Sequence, residues 1–394
     1  MKKTIRKTLL GALAFAAVSP AAAQQAPLAN TEQGAVGFTQ VLAPGSTFDL
    51  GVAPASVASR SYHERVSAAD LERGVDIVTQ ANGAVVRLTP VKGSAAANAA
   101  PGKLLVADLE ISRGGANPVA VERSGALVAD QDELKRSNPE LFEDTLAFRL
   151  ADTLGQGRFR LKAARKIAGG EDYMIQVFDK GSDIDLVLDA PRQHYFANGL
   201  LAVKASLPQR GLQRGAEISA ALLGPGGQRI DLRAAVNGSA IDINGGLPAS
   251  LRAAPGELWR VAVSYRDKAG AAPLYRDAEL ALAVGERTAS IKGSTAAKGG
   301  VNVAVDVAAA GRYEARAYVY AKNAASAWEP AALLYAADWL EPGARTLALS
   351  ADVAALEQAG YQPPFKLRQL QLLDQSRLMV LDTRTSDALP QFER

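Results

Sequence analysis

No cysteine occurs among the 394 residues. Disulfide staples, thiolate metal sites, thiol nucleophiles and anchoring through an acylated cysteine are therefore excluded. Histidine is almost as scarce, with His63 and His194 the two imidazoles. They are far apart in the chain and no His-Glu-x-x-His occurs, which makes a poor zinc ligand set. A serine hydrolase needs a histidine relay and a presented nucleophile, and no Gly-x-Ser-x-Gly is present. His63 reads as part of an exposed polar loop, and His194 as packing near a domain junction. Runs of like charge are also missing. The whole chain has 44 Lys+Arg against 41 Asp+Glu, but four of the basic residues cluster before residue 8, leaving 40 against 41 elsewhere. A near-neutral chain without a basic patch is a poor candidate for nucleic acid or an anionic membrane surface.

What is present begins with Lys2, Lys3, Arg6 and Lys7, followed by the apolar stretch Leu9 to Val18 and the small residues up to Ala23. This three-part layout is that of a secretory signal peptide and predicts cleavage after Ala23. The apolar part is well short of the roughly 20 residues that span a bilayer. The expected address is periplasmic or secreted, with no membrane span in the mature chain.

Periodicity organises the remainder. Residues 24–190 are expected to form a mixed α+β domain. Ser67-Ala-Ala-Asp70 matches a capping box. Alternation on either side of Asn82-Gly83 predicts a hairpin. Phe142, Leu146, Leu150 and Leu154, after Asn138-Pro139, predict a helix. From 191 to 286 and again from 287 to 394, closely spaced strand-like runs with Pro-Gly or Asn-Gly turns predict two immunoglobulin-like β-sandwich domains. Val301, Val303, Val305 and Val307 alternate, Trp259 enters an alternating strand as a core residue, and a short helix follows Ser350. Leu367 to Leu373 and Arg377 to Leu381 form a closing hairpin through Asp374-Gln-Ser376. The fold class is thus mainly β.

Three segments carry a resemblance. Gly169-Gly-Glu-Asp-Tyr173 running into Val177-Phe-Asp-Lys-Gly-Ser182, the strand Gly311-Arg-Tyr-Glu-Ala-Arg-Ala317, and Leu367 to Ser376 resemble a secreted Gram-negative bacterial family built on a domain of unknown function. The resemblance implies a mixed N-terminal domain and tandem immunoglobulin-like domains. It implies no activity, so no functional residue is carried over.

Two groups of residues are the candidate sites. Asp179, Asp183 and Asp185, with Asp189 beyond, are carboxylates around the small Gly181, a composition that suits calcium. The alternative is a solvated hairpin face, since all four have the same parity. No other cofactor is expected. Trp328, Tyr335 and Trp339 are the candidate ligand platform, the alternative being a loop folded over a sheet edge. The expected function is an exported, non-enzymatic binding or accessory protein of the cell envelope, with a protein or glycan partner. The second reading is an exported hydrolase with an acidic-residue active site in the N-terminal domain.

Overall fold

The computed structural model describes residues 34–43, 45–46, 54–91, 104–124, 126–128, 145–167, 171–251, 253–268, 272–385 and 389–393. The expected signal peptide and the Asn138-Pro139 helix start lie outside them. The protein is mainly β, with several antiparallel sheets. Among the described residues, α-helix is confined to Ala68–Arg73 and Val353–Gln358. No helix among them is long and apolar enough to cross a membrane. The chain divides into two compact units: one holds the described residues of 60–182 and 272–274, the other those of 34–59, 183–268 and 275–393.

In the first unit, Val75–Thr79, Gly157–Ala163, Leu109–Arg113 and Val119–Ala120 form one antiparallel sheet in that order. Ser61–Ser67, Asp172–Phe178, Val85–Pro90, Leu146–Arg149 and Leu127–Val128 line up in another. Ser67 caps Ala68–Arg73 with the reciprocal Ser67–Asp70 hydrogen bonds of a capping box, as expected.

Two expectations need correction. Asn82-Gly83 does turn the chain tightly, with Gly83 at a φ of 74°, but the flanking strands are not a hairpin. Val75–Thr79 pairs with Gly157–Ala163 and Val85–Pro90 with Asp172–Phe178, so the turn carries the chain from one sheet to the next. The positive φ at Gly83 is what favours glycine there; the Arg149 guanidinium that a Cβ would meet is the end of a flexible side chain and could move aside. The predicted helix also fails over its described part. Leu146–Arg149 is a strand against Val85–Pro90, and Leu146, Phe148 and Leu150 are all buried. The same leucines fit a four-residue stripe and a two-residue alternation. Pairing with the edge of Val85–Pro90 decides between them, because tertiary context overrides local propensity.

In the second unit, Ala55–Ser59, Leu186–Ala190, Leu200–Ser206 and Ala240–Gly246 make one layer. Glu217–Leu223 pairs with Trp259–Asp267 in another. The strand Arg229–Asn237 belongs to both: up to Leu232 it pairs with Glu217–Leu223, and from Arg233 with Ala240–Gly246. A strand that changes partners midway turns the corner between packed sheets. Trp259, Val261, Val263 and Tyr265 are buried on alternate positions, as the sequence pattern requires.

His194 lies in the short strand His194–Phe196, parallel to Ala283–Gly285. Burial holds its imidazole below the ordinary 6.5. The folded chain therefore binds this proton less readily than the unfolded chain. Its contribution to stability is present above about pH 6.5 and lost as pH falls toward the depressed folded value. Melting temperature measured from pH 7.5 to 5 is expected to fall less in His194→Asn than in the wild type. Equal slopes would remove His194 from the account.

The C-terminal part is a sandwich. Its larger sheet runs in the order Val36–Val41, Trp328–Leu340, Gly311–Lys322, Gln362–Asp374, Met379–Thr385. The facing sheet is Ala289–Ala297, Gly300–Val307 and Gly343–Ser350. Val301, Val303, Val305 and Val307 point into one core with Tyr313, Ala315, Ala317 and Val319. The short helix is Val353–Gln358, capped by Asp352 rather than Ser350. The edge strand Val36–Val41 comes from the other end of the chain. Thr39 Oγ1 fastens it by donating to the Ser350 carbonyl and accepting from Asp352 N–H.

The closing hairpin forms as expected, and its three turn residues work on different partners. Asp374, 0% exposed, accepts from Thr288 Oγ1 at 2.6 Å, Arg377 Nη1 at 2.7 Å and Arg377 N–H at 3.1 Å. Gln375 turns the other way, and its partners are given below. Ser376 Oγ accepts from the Arg312 N–H at 2.9 Å.

Candidate functional site

The three aromatic candidates all lie on Trp328–Leu340. Simple alternation would put Trp328 on the opposite face from Tyr335 and Trp339, because the spacing to each is odd. One extra residue reverses this. Pro330 lies opposite Tyr320 and Ala332 opposite Val319, so Ala331 is a bulge. Trp328 opposite Lys322, Tyr335 opposite Arg316 and Trp339 opposite Arg312 therefore share one face of the sheet. It is the face turned away from the sandwich core.

The neighbouring strands complete this outer face. Phe38, from the distant edge strand, lies opposite Tyr335 and stacks on it with centroids 4.6 Å apart and planes 14° apart. Phe38 remains 47% exposed in this stack. At one end, Lys366 Nζ sits 4.0 Å from the centroid of the Trp328 ring and Lys322 Nζ 5.8 Å from it, a cation–π arrangement. At the other, the Trp339 indole N–H donates to Glu341 at 2.9 Å.

Between the rings runs a polar network. The Gln375 amide donates to Glu314 and to the Tyr335 hydroxyl, each at 2.7 Å, and accepts from Arg312 Nε at 3.0 Å. Arg316 Nε donates to Gln371 at 2.9 Å and stands 3.8 Å from Glu314. The arrangement offers ring faces at intervals with planar hydrogen-bonding groups fixed between them. Phe38, Arg316, Gln371 and Gln375 were not singled out from sequence. The visible signal was the alternation of Arg312, Glu314, Arg316, Tyr318 and Tyr320 on one side of a strand.

The acidic candidates come out differently. Asp179 is 0% exposed and accepts from the N–H groups of Gln80, at 2.6 Å, and Ala81, at 3.2 Å. It fastens the turn ahead of Asn82-Gly83, so neither a calcium ligand nor a solvated hairpin face describes it. Asp183 is exposed, and Asp185 exchanges hydrogen bonds with Gln209. Asp189 accepts from Ser56 Oγ at 2.6 Å. No group of three or more His, Asp or Glu side chains among the described residues is placed to hold a metal ion. His63 sits exposed on the strand Ser61–Ser67 rather than in a loop.

A pocket of about 590 Å³ opens in the first unit beside Arg113, Arg158, Arg160 and Phe159. Its lining includes one carboxylate, Asp76, which lies 3.2 Å from Arg158 and 3.6 Å from Arg160. A glycosidase-type pair of carboxylates is not assembled there.

Comparison with known proteins bears on the chain as a whole. Residues 27–179 match the N-terminal domain, and residues 286–389 the C-terminal domain, of a family described as a domain of unknown function, DUF4785. A crystal structure of a DUF4785 family protein from Legionella pneumophila matches with a TM-score of 0.69 at 23% identity, covering 90% of this chain and 92% of that one. A Salmonella alpha-2-macroglobulin mutant covers 88% of this chain and 24% of that one at 11% identity, with a TM-score of 0.22. No curated protein matches. With both terminal domains matched and the same fold along nine-tenths of its length, the chain belongs to the DUF4785 family.

Proposed function

We propose that this is an exported, non-enzymatic binding protein of the cell envelope, acting through the outer face of its C-terminal sheet. The two sandwiches, read as immunoglobulin-like, serve in this proposal as a rigid scaffold that presents the face. The observation that carries it is the bulge at Ala331. Without that extra residue, the chain would point Trp328 into the sandwich and leave the aromatics divided between two faces. Export is supported by the signal-peptide layout before Ala23.

The test is retention of the purified protein on envelope fractions from a Gram-negative host. The pair Trp328→Ala and Trp339→Ala is expected to reduce retention tenfold or more while leaving the melting temperature within a few degrees. Unchanged retention would take the face out of the binding reading.

A further inference from the structure

We propose that the outer face takes a linear glycan laid along Trp328–Leu340; this rests on the binding reading above and names its ligand. The first support is the alternation of chemistry. Phe38 on Tyr335, Trp339, and Trp328 with Lys366 over one of its faces supply rings at intervals, and the C–H faces of pyranose rings pack on such rings. Arg316 and Gln371 present planar groups with donors beyond the one bond between them, suited to sugar hydroxyls. A protein interface also favours Trp, Tyr and Arg, but gathers them into well-packed, fully desolvated pockets. Here the rings stand apart with charged and amide groups between them.

The second support is that these polar groups are already held. Arg312, Gln375, Glu314 and Tyr335 form one bonded set and Arg316 with Gln371 another, so little side-chain ordering remains to oppose binding. The third is Gln369, opposite Tyr318 on the same face. It is 4% exposed, and its Nε2 has no hydrogen-bond partner among the described residues. A buried amide donor left unpaired is costly, and a sugar hydroxyl brought to it would satisfy it. The extent of the face fixes the form of the ligand. From Trp328 to Trp339 the strand runs roughly 33 Å at the rise of extended chain, which calls for an oligosaccharide and not a single sugar.

The experiment uses the full chain with cellohexaose, chitohexaose and maltohexaose, read by titration calorimetry and tryptophan fluorescence. It also measures retention on envelope that has been boiled in detergent and protease-digested, so that the glycan network remains. Binding of at least one hexasaccharide is expected, weakened tenfold or more in Phe38→Ala and in Trp328→Ala and severalfold in Gln369→Met. Retention on digested envelope that depends on Phe38 supports the proposal even if none of the three hexasaccharides binds. Hexasaccharide binding untouched by all three substitutions overturns it. If untreated envelope retains the protein but digested envelope does not, the partner is a protein: the glycan falls and the binding face stands. If no hexasaccharide binds and neither envelope retains the protein, both fall.

Discussion

Trp259→Ala is expected to lower the free energy of unfolding by about 3–5 kcal/mol, the range for deleting a large buried aromatic. The side chain is 1% exposed and heads the alternating run through Val261, Val263 and Tyr265. It fits closely enough that a Cβ on Gly224 would lie 2.8 Å from its ring, which explains a glycine at that turn. The indole N–H has no hydrogen-bond partner among the described residues. Trp259→Phe should therefore be much milder, about 1–2 kcal/mol, because a smaller void is left and an unpaired donor disappears. Urea unfolding separates the two. Equal losses in both variants would mean that the indole ring is not what fills the space.

Asp374→Ala is expected to cost about 3 kcal/mol. Its carboxylate receives the Thr288 hydroxyl and two donors of Arg377. Arg377 is partly exposed and regains water when the carboxylate goes. Thr288 is 2% exposed and does not. Leaving such a buried hydroxyl unsatisfied carries the larger part of the loss, about 1–3 kcal/mol. The sharper measurement is the cycle with Thr288→Val. With both polar groups gone, the double variant should lose clearly less than the two single losses together. Additive losses would show that the pair does not act as a unit.

Local signals in the sequence were dependable where neighbours in the chain are neighbours in space. The Ser67 capping box, the Val301–Val307 alternation and the hairpin through Asp374 all involve partners a few residues apart or a burial face written in period two. Long-range pairing was not legible. Leu146 to Leu150 fits two periods, and only the presence of Val85–Pro90 selects one. Asn82-Gly83 has the composition of a hairpin turn, but turn chemistry does not say which sheet receives the next strand. The candidate site shows the same division. Trp328, Tyr335 and Trp339 could be named as residues, yet their common face depends on a bulge whose only sequence mark is a run of small residues near Pro330. Asp179 looked like its acidic neighbours, and its use as an acceptor for two N–H groups nearly a hundred positions earlier left no local trace.

The strand Val36–Val41 has a consequence for how the chain comes together. Its six residues pair with Ala332–Ala337, almost three hundred positions later. The stretch matched as a C-terminal domain, 286–389, leaves this strand out. A fragment cut to those bounds would bare one edge of Trp328–Leu340, with N–H and C=O groups ready to template pairing with another chain. It would also lack Phe38 and so half of the stacked ring pair. As the chain is made on a ribosome, the earliest described strand must wait for most of the polypeptide before its partner exists. Loop closure over that distance is slow in forming contacts of this kind, so the last of the described sheets to be synthesised is finished by the earliest of the described strands.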